Sequence, residues 1–192
     1  MRLINILLLV VCATLLQGCF TLAATGVGAA AMSIDDRRTT GTQVEDENVE
    51  WKARFALINK FKDAHVNVTS FNLGVLLTGE APTEDMKKDI GAAIKDIPSV
   101  KNITNELQVS GNSSFTSRSS DSIVTTNVKF RSIRNGVFSP NHVKVVTENG
   151  TVFLMGVVTK EEGDAAAEIA RTTSGVQRVV KVFEYIDKPP GK

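Results

Sequence analysis

Few side chains in these 192 residues are equipped for covalent chemistry, and where they fall says more than how many there are. Both cysteines, Cys12 and Cys19, lie near the N-terminus, so no disulfide framework spans the body of the chain. The two histidines, His65 and His142, each stand just ahead of a β-rich run, and the two runs are copies of each other. Equivalence across a repeat points to a structural role rather than to metal ligation or pH sensing. The serines between Ser110 and Ser120 have no His-Asp pair to activate them, and neither a phosphate loop nor a CxxC pair occurs. No catalytic residues, metal ligands or cofactor-binding motif can be assigned. The sequence is read as that of a binding or structural protein, not an enzyme.

Charge narrows the partners. Twenty-two basic residues against 21 acidic ones give a formal net charge of +1, so nucleic acid is not an expected partner and any electrostatic contact must be local. A hydrophobic content of 42% is that of an ordinary globular chain.

The elements that position these residues come in two sets. Val143 to Gly156 reads as a hairpin, with β-rich runs on either side of Asn149-Gly150, the pair that suits a type I′ turn. Val66, Val68, Val75, Leu77 and Gly79 match Val143, Val145, Val152, Leu154 and Gly156 at a constant offset of 77 residues. Ahead of the first hairpin, residues 46–60 are helical in pattern, with Val49, Ala53, Ala56 and Leu57 on one stripe and Trp51, Phe55 and Ile58 opposite. Two apolar stripes predict a helix buried between layers, with Trp51 in the core. Thr83 caps a second helix running to Pro98, and Val100 to Val109 alternates as a third strand. Residues 110–120 read as a linker. Asp121 to Arg134 then repeats the first helix, Thr159 and Glu162 form a capping box, and Val176 to Tyr185 repeats the last strand. The hairpin strands Val143–Val146 and Val152–Met155 are apolar on both faces apart from Lys144. A sheet covered on one side only should alternate. The open faces of the two sheets are therefore expected to pack together through Val68, Phe71, Val146 and Phe153.

At the N-terminus, Met1-Arg2 precedes an apolar run from Leu3 to Leu16 that is shorter than the roughly 20 residues a membrane span needs. It ends in Leu16-Gln17-Gly18-Cys19, which resembles the lipobox of bacterial lipoproteins. The resemblance implies that residues 1–18 are a lipoprotein signal peptide. It also implies that Cys19 carries a thioether diacylglycerol and an N-acyl chain such as palmitate, with no other cofactor. Phe20 stands where inner-membrane retention usually needs Asp, which implies the outer membrane, with the body of the protein in the periplasm. Residues 19–45, rich in small residues, read as a lipidated flexible tether.

The doubled order helix-strand-strand-helix-strand, with Gly79 and Gly156 closing each second strand, resembles the BON-domain family. Two such units behind a lipobox resemble the dual BON-domain outer-membrane lipoproteins, most closely at Leu15–Cys19, Gly41–Val44 and Val146–Gly156. The fold implied is α+β: two tandem BON domains, 46–109 and 121–186, each a three-stranded mixed sheet with two helices on one face, followed by a tail at 187–192. The function implied is binding of anionic phospholipid (phosphatidylglycerol or cardiolipin) and support of outer-membrane integrity at division sites. In that family lipid contact is attributed to the first helix of the second unit. Here that helix offers Ile123, Phe130 and Ile133 with Lys129, Arg131 and Arg134 around them, and Asn127 where the family often has a base. No acid occurs between Ser122 and Thr147, whereas the equivalent stretch Glu45 to Asp63 holds five acids against four bases. The alternative is a scaffold that docks an outer-membrane or cell-wall protein.

Overall fold

The computed structural model describes residues 36–111 and 115–188. The signal peptide, Cys19 and most of the expected tether lie outside the described residues. Both repeats lie in one compact unit that begins at Arg37.

Each repeat is organised by its hairpin. β1 (His65–Phe71) pairs antiparallel with β2 (Gly74–Ala81), and β5 (Val143–Glu148) pairs in the same way with β6 (Thr151–Val158). Asn149 and Gly150 both have positive φ, 47° and 70°, as the Asn-Gly pair predicts. At the equivalent turn Asn72 and Leu73 take φ of 52° and 67°, although Leu73 has a side chain that disfavours that region. A buried aspartate holds each turn. Asp46 accepts hydrogen bonds from the backbone N–H of Asn72 (2.9 Å) and Leu73 (2.8 Å); Asp121 accepts from Asn149 and Gly150, both at 2.8 Å. Gly79 and Gly156 each stand two residues before the end of the second strand for a steric reason: a Cβ would collide with the carbonyl oxygen of His65 at the start of β1, or of His142 just ahead of β5.

α1 (Thr40–Lys60) and α2 (Glu84–Lys95) cover one face of the first sheet; α3 (Phe115–Ile133) and α4 (Lys160–Arg171) cover one face of the second. α1 starts six residues before the sequence-predicted helix because the Thr39 side chain accepts from the Thr42 N–H and caps it. α3 likewise starts inside the expected linker, at Phe115. The capping box at Thr159 and Glu162 is complete, with both reciprocal bonds made. β7 (Arg178–Tyr185) runs parallel to β6. Its counterpart is broken into β3 (Asn102–Asn105) and β4 (Gln108–Val109), both parallel to β2. The break follows from Asn105, whose amide donates to the Lys87 carbonyl while its oxygen accepts from the Leu107 N–H, dropping Leu107 into the core. The alternation predicted through Val109 therefore stops at Asn105.

Strand parity decides which residues face the helices. Val68, Val75, Leu77 and Ala81 join α1 and α2 in the first core; Val143, Val145, Val152, Leu154 and Val158 join α3 and α4 in the second. The opposite sheet faces meet in a third cluster built on Phe71, Leu76, Phe153 and Met155, with Val146, Val157, Val180 and Val182 at its edge. Phe71, Val146 and Phe153 are thus where the sheet-to-sheet reading puts them. Val68 is not. It lies three residues from Phe71, an odd step, so it points to the helices of its own unit. The layers run helix, sheet, sheet, helix.

Candidate functional site

On α3, Asp121, Val124, Val128 and Ser132 are buried at the sheet side of the helix. The far side, half a turn away, carries Ile123 (63% exposed), Phe130 (58%) and Ile133 (65%). Val137, in the loop just beyond the helix end, is also exposed; no periodicity points to it. Asn127, Lys129 and Arg134 are exposed around this strip, and the Arg134 guanidinium lies 5.9 Å from the centre of the Phe130 ring.

The basic residues divide by what else they touch. Arg131 turns toward α4, donating to the Ile169 carbonyl (2.9 Å), to Thr173 Oγ1 (2.6 Å) and to Thr172 Oγ1 (2.9 Å). It braces the two helices of its unit. Lys144 donates to Glu50 Oε1 at 3.0 Å and to the Ser70 carbonyl at 3.1 Å, so its charge is used between the two repeats. Lys129 and Arg134 are left to give the strip its charge.

The first repeat departs from expectation. Trp51, Phe55 and Ile58 are 59%, 68% and 67% exposed, so α1 is covered on one side only and Trp51 is not a core residue. Trp51 and Phe55 stack on each other, ring centres 5.9 Å apart, in place of a neighbouring layer. The second apolar stripe was legible; that nothing covers it was not, because the sheets meet through their helix-free faces and leave both first helices in outer layers.

Two further clusters join the repeats. Ahead of α1, Arg37 forms a bidentate pair with Glu162 at 2.7 Å through each nitrogen, and its Nη1 also donates to the Val157 carbonyl. Arg38 pairs with Asp46 at 2.9 Å and lies over the Phe71 ring. The stretch expected as tether thus ends in two anchored arginines. Burial works to raise the Glu162 pKa, but Arg37 and the Thr159 N–H outweigh it and hold the carboxyl below its ordinary 4.5. A depressed carboxylate stabilises the fold above its ordinary pKa and loses that contribution as pH falls through the lowered value. Arg37→Ala is expected to cost about 2 kcal/mol near pH 7 in urea denaturation, the difference from the parent shrinking below about pH 4.5. The other cluster sits at the far end of the seam. His65 Nδ1 lies 3.0 Å from Glu80 Oε2, and Glu148 accepts from Asn67 Nδ2 at 2.7 Å. Burial raises the Glu148 pKa. Among the described residues no helix is long and apolar enough to cross a membrane.

The comparisons with known proteins agree with this architecture. Residues 45–111 and 120–187 each match the BON domain. The chain is 42% identical over 175 residues to the outer membrane lipoprotein DolP of Haemophilus influenzae, an alignment covering 90% of this chain and 91% of that protein. It is 36% identical over 154 residues to a 21 kDa hemolysin of Actinobacillus pleuropneumoniae, covering 79% of each. The osmotically-inducible protein Y of Escherichia coli is 24% identical over 144 residues. The chain belongs to the BON-domain family, as a dual-BON lipoprotein of the DolP type. It is an outer-membrane lipoprotein, lipid-anchored and facing the periplasm.

Proposed function

We propose that the protein, anchored through acyl chains on Cys19, applies the outer face of α3 to anionic phospholipid and thereby supports outer-membrane integrity at division sites. The observation that carries this reading is the solvent-facing strip Ile123, Phe130 and Ile133 with Lys129 and Arg134 at its margins. An apolar strip flanked by cations suits an anionic bilayer surface: the side chains enter the acyl boundary while the bases stay among the headgroups. Two near-surface bases contribute about 2 kcal/mol together, and each apolar side chain up to about 1.5–3 kcal/mol if fully buried. Such contact is modest by itself. Acyl chains holding the protein at a membrane raise the local concentration of lipid, so a modest face suffices.

A protein lacking the lipid anchor, beginning at Phe20, tests this by co-sedimentation. It should bind vesicles containing phosphatidylglycerol or cardiolipin and not phosphatidylcholine vesicles. Ile123→Glu and Lys129→Glu should each weaken binding at least tenfold, without loss of fold, since both positions are exposed. Equal binding to both vesicle types, or none to either, would overturn the reading.

The exposed stripe of α1 favours a second function, the docking of an envelope protein. Trp51, Phe55 and Ile58 lie in the opposite outer layer from α3, and the bases Lys52 and Arg54 of their helix are opposed by Glu45 and Glu50, so the stripe lacks the cationic margin of α3. With α3 on a membrane, that stripe faces the other way. Trp51→Ala and Phe55→Ala should leave vesicle binding unchanged.

A further inference from the structure

The two ends of the seam between the sheets carry different side chains at positions that the repeat makes equivalent. Glu80 and Glu148 are separated by the 77-residue offset from Val157 and Phe71, both of which belong to the apolar cluster between the sheets. At these equivalent places the fold closes with a valine and a phenylalanine. At the other end it buries two carboxylates, Glu80 at 1% and Glu148 at 6% exposure. Seam packing alone does not call for them, because burying a carboxylate costs far more than burying an apolar side chain. Carboxylates held in such a place without a packing need point to a ligand or a functional charge.

The side chains around them form a donor set. One ligand atom each from His65, Glu80 and Glu148 lie within 4.8 Å of one another. Asn149 Nδ2 donates to Glu80 Oε1 at 2.8 Å, leaving Oε2 turned toward His65. Asn67 Nδ2 and, at 3.4 Å, Thr78 Oγ1 both donate to Glu148 Oε2. Amides that fix the far oxygen of a carboxylate, or its orientation, are the outer support a metal ligand needs. A cavity of about 350 Å³ opens on His65 and Glu148, with Asn67, Arg118 and Asp121 also on its wall.

We propose that His65, Glu80 and Glu148 bind a divalent cation of the zinc class, which bridges the two BON domains. One imidazole nitrogen and two carboxylates, with water from the cavity in the fourth position, suit zinc, whose ligands sit about 2.0–2.2 Å from the metal. Ligand atoms in that geometry are about 3.4 Å apart, so the set closes by small side-chain rotations. His65 and Glu80 come from the first repeat and Glu148 from the second, so the ion fastens the seam at the Glu80–Glu148 end. His142, the repeat equivalent of His65, has Val157 where His65 has Glu80 and completes no such set.

The test is calorimetric titration of Zn²⁺ into the full lipoprotein in neutral detergent, after dialysis against a chelator, with thermal unfolding followed in parallel. The expected result is one ion per chain and a higher Tm with Zn²⁺. Glu80→Gln and His65→Ala should each weaken binding at least tenfold and abolish the Tm rise; His142→Ala should do neither. Glu80→Gln keeps an acceptor for Asn149, and Glu148→Gln serves as a second variant should Glu80→Gln unfold. The absence of saturable binding, or binding left intact by these glutamine variants, would overturn the proposal.

Discussion

Asp46→Ala should lower the unfolding free energy by about 3–5 kcal/mol in chemical denaturation, more than most single substitutions do. The carboxylate is 3% exposed and accepts from Ser70 Oγ, Asn72 N and Leu73 N while pairing with Arg38. Alanine leaves two turn N–H groups and a guanidinium without this acceptor at once. Relaxation of Leu73 from its φ of 67°, a conformation costing about 1–3 kcal/mol, would return only part of that loss. Asp121 caps the twin turn with the same two backbone bonds, and Gly150 takes its positive φ without penalty, so Asp121→Ala should destabilise as well, with no strain returned. Asp46→Asn, which keeps an acceptor and loses the charge, should fall between the parent and alanine. A loss below about 1 kcal/mol at Asp46 would show that the turn does not depend on this carboxylate.

These aspartates mark the border of what was legible. Their match at an offset of 75 residues reads as helix register. Nothing in periodicity tells that each reaches across to a turn, because helix register accounts for the match by itself and, in the second repeat, Asn149-Gly150 already explains the hairpin. The elements themselves were legible because turn residues, caps and alternation are local. The break at Asn105 was not, since it depends on a carbonyl of α2. At the candidate site, the apolar residues of α3 could be placed by the helical period. The division of its cations could not: whether Arg131 or Lys144 is free depends on α4 and α1, which approach only in the folded state. The same holds for His65. Equivalence with His142 suggests a structural pair until Glu80 and Glu148 are seen to converge from two repeats.

Phe153→Ala should cost about 3–5 kcal/mol and should loosen the two domains from each other before either unfolds. Phe153 is 2% exposed and packs in the cluster between the sheets, where Phe71, Leu76 and Met155 are its buried partners. Truncation there opens a cavity that neither domain can close alone, since filling it requires one sheet to move toward the other. Val152, its neighbour in β6, has 0% exposure but faces α3 and α4. Val152→Ala should therefore destabilise the second domain and leave the seam intact. Hydrogen exchange separates the two cases. With Phe153→Ala, protection should fall first along β1 and β5, the two strands joined across the seam by the Asn67–Glu148 bond and by Lys144 donating to the Ser70 carbonyl. With Val152→Ala it should fall in α3 and α4. If both variants lost protection in the same helices and the seam-facing strands were unaffected, the sheets would not be held together by this cluster. The α3 strip and the α1 stripe would then not be fixed in opposite outer layers, and the reading of one face for lipid and the other for protein would lose its geometric basis.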